Sequence, residues 1–449
     1  MITYVKLKNY KSLVDFKVNF VKKKNTPKKM VLIYGENGIG KSNLANSFFT
    51  LNETTRTMFS VKMARKMLDE LSNVGTLKND EQALKNREEF VKNYIKNHWR
   101  DTKTIISECK TIDSNENMVL EYGFMLDNKE GVYHIEFDND EIVREKLDYV
   151  LNKNLVSYFD ISKEYNYKIN VNIFKNKSYY NDFLQLVDKY WGKHSFMSIL
   201  ASEIEEKTNE YMNGVISDNL YKIFRFFIHT CVKIKKSNHF EYSVVGTNHD
   251  LIDELDNGTI SVKEETKLDK AEELLNEIFT SLYSDIKKVY YQKSYDENNL
   301  KYKLYIKKMI YGKIKDIDFS LESTGTQNIL ELIPFLISAC EGQTVIIDEL
   351  DNGIHDLMVK SLLETVEPYI KGQLIITTHN TLLINSMPKE SIYIFNADKD
   401  ANKELISLDE FPDRIQKNNS PQKKYLSGLL GGIPITNDID FEELIENLD

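Results

Sequence analysis

Eight consecutive residues, Gly35-Glu36-Asn37-Gly38-Ile39-Gly40-Lys41-Ser42, have the types and spacing needed to hold a phosphate chain. The glycines let the backbone curl so that several N–H groups converge on one anion, and a helix starting at Ser42 would add its positive end. Lys41 would neutralise the β- and γ-phosphate oxygens, and the hydroxyl of Ser42 would coordinate Mg²⁺. Gly35, Asn37, Gly38, Gly40 and Asn43 complete the expected contacts with ATP. Such chemistry also needs an acid at the end of a buried strand beside the loop. The heptapeptide IDELDNG occurs twice, at 252–258 and 347–353. Only the second copy follows an apolar run, Val345-Ile346-Ile347, whereas the first follows Thr247-Asn248-His249-Asp250 and reads as a surface segment. In the second copy Asp348 would hold Mg²⁺ through water, and Glu349 would act as general base on the attacking water.

Two weaker signals flank the acidic pair. Leu321-Glu322-Ser323-Thr324-Gly325-Thr326-Gln327 opens an apolar stretch, and a later strand ends in Thr377-Thr378-His379-Asn380. A serine-and-glycine turn at a helix start can bind an anion, and a histidine at a strand end can hydrogen-bond a γ-phosphate. Each has a plain alternative: Ser323 or Thr324 as an ordinary helix cap, and His379 as a structural histidine.

The elements that would position these groups can be read from periodicity. Residues 2–20 alternate apolar and polar around Asn9-Tyr10-Lys11-Ser12, as two antiparallel strands would. Met30-Val31-Leu32-Ile33-Tyr34 is a strand feeding the glycine loop, and residues 42–51 are helical. From about 61 to 110 the spacing is helical, including 86–99, and MVLEYGFML and VYHIEF form a strand pair across a turn at 127–131. Residues 148–285 read as an inserted helical domain without sustained heptads. From Leu321 onward helices alternate with apolar strands at 344–348, 373–378 and 391–396, the pattern of a parallel sheet with crossovers. The expected organisation is therefore head residues 1–60, a helical segment 61–114, head strands 115–147, the insert 148–285, the returning head 286–400 and a tail region 401–449.

Composition sets the outer limits. The chain has 449 residues, 41% hydrophobic and 29% charged, with a formal net charge of −10. No apolar run is long enough to span a bilayer, and no secretory core opens the sequence, so a cytosolic protein without membrane contact is expected. Three scattered cysteines, Cys109, Cys231 and Cys340, support neither a disulfide framework nor a metal site. The acidic balance disfavours general nucleic-acid coating.

The order of phosphate loop, long insertion, serine-glycine turn, acidic strand and histidine strand resembles the ABC-type ATPase heads of the SMC and RecF group. That resemblance implies an α/β fold, an ABC-ATPase head (P-loop NTPase) with a mixed and mainly parallel sheet and an inserted helical domain, and ATP and Mg²⁺ as ligands. It implies that Ser323 and Gly325 form a signature turn closing on the γ-phosphate of a second subunit. Residues 351–356 would face the dimer mate, His379 would be the switch histidine, and Lys11 the basic residue that approaches the nucleotide. The signature reads STGTQ where LSGGQ is commoner, so Ser323 and Thr324 both remain candidates. No glutamine-loop residue emerges from Gln82, Gln185 and Gln292. With ESTGT, DELDNGIH and the tail 423–434, the chain further resembles the ATPases of bacterial abortive-infection and PARIS-type phage-defence operons. Those imply a nucleotide-sandwich homodimer or higher homo-oligomer controlling a separately encoded effector such as a TOPRIM nuclease. The tail itself has a plainer reading as a glycine turn and a solvated acidic end. The competing reading is a DNA-repair or DNA-clamping ATPase that uses lysines 22–24, 28 and 29, or 233, 235 and 236. A self-contained nuclease finds no support, because no second carboxylate cluster is visible.

Overall fold

Strands Met30–Tyr34, Thr344–Ile347 and Gln373–Thr377 are buried at every position, which a strand requires when both faces of its sheet are covered. A computed structural model describes residues 1–22, 25–74, 100–163, 168–235, 241–244, 251–411 and 420–434, together with Phe441 and Ile445. The expected helix over 86–99, Gln82, Lys23, Lys24, Lys236, the segment 247–250 and most of the acidic end lie outside the described residues.

The central sheet has the order Glu241–Val244, Cys231–Lys235, Thr344–Ile347, Gln373–Thr377, Met30–Tyr34, Ile392–Ala397, Lys403–Ser407. Its five inner strands are parallel and its two edges antiparallel. Side chains alternate between two cores, as period-2 strands dictate. Val31, Ile33, Ile346 and Phe395 enter one core, with Leu44, Phe48 and Phe49 of the helix Lys41–Thr54. Met30, Leu32, Val345 and Ile347 enter the other, with Ile329, Leu332 and Ile333 of the helix Thr324–Glu341.

Two further sheets complete the frame. An antiparallel sheet of seven strands begins with the hairpin Ile2–Tyr10 and Leu13–Asn19 and continues through Met118–Leu126 and Lys129–Phe137. It covers the helix Lys41–Thr54, to whose Ser47 carbonyl the Tyr122 hydroxyl donates (2.7 Å). A smaller sheet of Asn257–Ser261, Ile286–Asp296, Asn299–Ile310 and Lys313–Asp318 lies in the second core with the helix Glu265–Leu282.

The acidic strand end lies beside the phosphate loop as expected, reached across an intervening strand, Gln373–Thr377. Several expectations change. Residues 148–285 are not one helical insert. Ile142–Leu151 and Asn154–Ser162 extend the antiparallel sheet, helices follow from Lys177–Tyr190 to Asp218–Ile228, and Cys231–Lys235 then enters the central sheet beside the acidic strand. CVKIK is only five residues long and carries lysines at alternate positions, so its strand character is hidden among helices. The described part of the tail region is packed. Lys403–Ser407 is a sheet edge, and residues 420–434 dock on the frame, with Tyr425 packed edge-on against Tyr34 (centroids 5.7 Å) and its hydroxyl on Gly432 O. The first IDELDNG copy leads into the edge strand Asn257–Ser261 with Asp253 and Glu254 exposed, as a surface segment should. All three cysteines are free, Cys109 and Cys231 buried.

A buried acid links folding to pH. Glu145 accepts from the Tyr133 hydroxyl (2.8 Å), Trp191 Nε1 (3.0 Å) and Phe196 N (2.6 Å). Burial outweighs these donors and pushes its carboxyl up to about 7. The folded chain thus binds this proton more tightly than the unfolded one, so stability falls as pH rises from the ordinary carboxylate range through 7. Denaturation midpoints of the wild-type chain should decrease from pH 5 to pH 8, an effect worth up to roughly 3 kcal/mol. Glu145→Gln, whose amide can face the Tyr133 oxygen, should flatten the profile, and identical slopes for both chains would exclude Glu145 as the titrating group.

Candidate active site

The predicted loop forms at the C-terminal ends of the parallel strands, where open α/β sheets bind ligands. Gly40 takes φ +125°, a conformation costly for any residue with a Cβ, and the helix Lys41–Thr54 then begins with no side-chain cap. Its first N–H groups are left for a ligand to satisfy. Lys41 is buried, and its Nζ donates to the carbonyls of Gly35 (2.8 Å) and Glu36 (2.9 Å). Asn37 and Gly38 are exposed at the loop's crest.

Asp348 and Glu349 follow the acidic strand, and Thr377 at the end of the intervening strand joins them to the site. Its Oγ1 donates to Asp348 Oδ1 (2.5 Å) and accepts from Glu349 N (2.8 Å). Ser42 lies beside Asp348, near enough to act on its carboxyl, which brings the two expected magnesium residues together. Glu349 adopts φ +49°, a left-handed backbone that is rare outside glycine and asparagine. Leu350 N on Thr377 O (3.2 Å) and Asn352 N on Glu349 O (3.0 Å) hold that turn.

Charge within the site is set by burial first. Desolvation pulls the Lys41 ammonium below its usual range, although Asp348, Glu349, Asp351 and Glu36 act in the opposite direction. Desolvation likewise raises the Asp348 carboxyl, against the Thr377 hydrogen bond, Ser42 and the Lys41 cation. A phosphate would favour the charged lysine and a divalent cation the charged aspartate. The uncapped helix, the Ser42–Asp348 pair and Asp351 Oδ1, buried without a hydrogen-bond partner, fit a magnesium nucleotide.

His379 is exposed at the same strand end, and its backbone N donates to Asp351 Oδ2 (3.0 Å). Desolvation and Lys41 lower its imidazole pKa more than Asp351, Glu349 and Asp348 raise it. Ser323 is the N-cap of the helix Thr324–Glu341, with Oγ accepting from Thr326 N (3.2 Å), so Thr324 is the first helical residue. A Cβ on Gly325 would lie 2.4 Å from Gly353 O, which accounts for the glycine by close backbone approach to the loop at 351–356. Asn328 Nδ2 on Asn352 O (2.8 Å) closes that contact.

Lys11 lies with Nζ 6.0 Å from the Tyr10 ring centroid. The contact from its turn to the loop helix is made by Ser12, whose Oγ accepts from Asn43 Nδ2 (2.7 Å) and Lys403 Nζ (2.6 Å). Gln185 and Gln292 are exposed on an outer helix and on the small sheet. Of the lysines considered for DNA, Lys28 is buried with Nζ on Ser407 Oγ (2.9 Å) and over the Tyr393 ring, Lys22 pairs with Glu390 (2.8 Å), and Lys233 with Glu331 (2.7 Å). Thr377 and Lys403 were missed. The doubled threonine ending an apolar strand was a signal for the first, and nothing marks the second.

Removing the Thr377 hydroxyl should expose its role. Thr377→Val leaves a buried carboxylate oxygen and the Glu349 N–H without their partner, a loss on the order of 1–3 kcal/mol. Denaturant unfolding should show that loss for Thr377→Val and near-complete recovery for Thr377→Ser, whereas equal stability of all three chains would refute the bridging role.

No curated protein matches the sequence. Among solved structures, the chain is similar to an Smc head bound to the C-terminal winged-helix domain of ScpA, at 14% identity over 90% of this chain and 97% of that one, with a TM-score of 0.43. An Smc head with an extended coiled coil, bound to the C-terminal domain of ScpA derived from Pyrococcus furiosus, gives 13% identity, 96% and 99% coverage and 0.41. The recombination mediator protein RecF gives 14%, 91%, 98% and 0.36. The family model described as "AAA domain, putative AbiEii toxin, Type IV TA system" matches residues 30–385, and the chain belongs to that family.

Proposed function

We propose that this cytosolic chain binds ATP with Mg²⁺ at the phosphate loop, hydrolyses it between two copies of itself, and through that closure controls a separately encoded effector, such as a TOPRIM nuclease, in phage defence. The observation that carries the reading is that the Thr377 hydroxyl ties Asp348 to the Glu349 backbone while Ser42, at the start of the loop helix, lies beside Asp348. The family description supports the toxin–antitoxin setting. Among the described residues no helix is long and apolar enough to cross a membrane.

In this mechanism the chain's residues divide the work. Lys41 exchanges its loop carbonyls for β- and γ-phosphate oxygens, and the uncapped N–H groups bind the rest of the phosphate chain. Bound magnesium supplies neutralisation of the terminal phosphates. Ser42 and Asp348 would hold it, while Glu349 would accept a proton from the attacking water. His379 presents its ring to the γ-phosphate. The mate's Ser323 turn closes the site from outside, carried by an exposed helix start.

Lys41→Ala should abolish nucleotide binding, measured by calorimetry. Glu349→Gln should keep ATP and lower steady-state hydrolysis by about 10² to 10⁴, while Glu254→Gln in the other heptapeptide stays within about twofold. Comparable losses at Glu254 and Glu349 would place the base wrongly.

Sharing of sites between copies has its own test. Ser323→Arg should block closure, and mixing it with Lys41→Ala should restore about one working site per mixed dimer, because each defect lies in a different half. Mixed dimers verified by differential tags but devoid of activity would count against shared sites.

A further inference from the structure

The phosphate loop has two flanks. On one, Ser42 turns to Asp348 and, beyond it, Glu349. On the other, the next helical residue, Asn43, turns its amide to Ser12 Oγ (2.7 Å), where Lys403 Nζ also donates (2.6 Å). Successive helical residues point about 100° apart, so the two flanks diverge from the first turn of one helix. The Lys403 stem runs beside the loop's corner. A Cβ built on Gly40 would lie 3.6 Å from Lys403 Cδ, 3.5 Å from Phe395 Cζ and 3.1 Å from Leu13 Cδ2. Lys403 begins the edge strand Lys403–Ser407 and pairs with Ala397 of the neighbouring strand, so its position is fixed by the sheet rather than by a loose loop.

The environment of this ammonium calls for an anion. Burial alone shifts its pKa, downward, with no carboxylate acting on it. A partly desolvated cation held only by a hydroxyl is stabilised when an anion arrives. The opposite flank holds the acids, whose chemistry belongs at the terminal phosphate. The first-turn N–H groups of a phosphate-loop helix cradle the α- and β-phosphates. We infer that Lys403 binds the α-phosphate of the nucleotide, with Ser12 and Asn43 positioning its ammonium. This rests on the nucleotide reading above and deepens it, by giving the site a cation shared equally by ATP and ADP.

The test is calorimetric titration of the full chain with ATP and with ADP, each with magnesium. Lys403→Met keeps the apolar stem on Gly40 and removes only the charge. It should weaken both nucleotides by about tenfold, the size of one charge-assisted hydrogen bond, and Lys403→Arg should restore most of the affinity. Unchanged affinity of Lys403→Met for both nucleotides overturns the inference. Weakened ATP with unchanged ADP also overturns it, since that cation would then serve the γ-phosphate. The underlying reading fails separately, by absence of nucleotide binding in the wild-type chain or by full binding in Lys41→Ala.

Discussion

One hydroxyl joins two strands that do not touch the phosphate loop alike. The acidic strand Thr344–Ile347 is two strands from Met30–Tyr34, about 10 Å away at ordinary sheet spacing. A side chain on it reaches the loop only if the intervening strand cooperates. Thr377 does so by using its Oγ1 twice, as donor to Asp348 and as acceptor from Glu349 N. A hydroxyl is the smallest group with both capacities. Ser42 completes the span from the other side, because the helix that follows the loop folds back over the sheet and brings its first turn to Asp348.

That constraint explains the turn after the acidic strand. Glu349 in the left-handed region costs on the order of 1–2 kcal/mol, and the bonds of Glu349 N, Leu350 N and Asn352 N hold it there. The same turn delivers Asp351 to the backbone of His379, and Asn352 and Gly353 to the start of the helix Thr324–Glu341. His379, the acidic pair and the Ser323 turn are therefore linked by short contacts within one chain.

The phosphate loop was legible because its chemistry demands contiguous residues, and the strand and helix around it are read from the same stretch. The choice between two identical heptapeptides was legible from what precedes them, and their fates differ accordingly: Asp348 ends a buried strand, whereas Asp253 and Glu254 stand exposed before an edge strand. Strand order was not legible. Nothing local to QLIITT says that it lies between two other strands, and CVKIK is too short to stand out from the helices before it. Lys28 looked like one lysine in a solvated run, yet its Nζ is enclosed by Ser407 and Tyr393 from the far end of the chain. Ser12 and Lys403, 391 residues apart, meet only because the first hairpin and the last sheet edge flank the same loop.

Lys41 and Asp348 sit close enough to stabilise one another, and still burial prevails over their attraction in both. Partly desolvated opposite charges are held together at a cost that their mutual attraction does not fully offset. The fold carries that cost in a frame that is otherwise strongly apolar, with Tyr34 at the end of the loop strand braced by Asn380 O and by the ring of Tyr425 from the C-terminal segment. Gln422 of that segment reaches Thr381 (3.1 Å), two residues beyond His379. Residues 420–434 are therefore part of the scaffold behind the strand ends that carry the site, through Tyr425 on Tyr34 and Gln422 on Thr381.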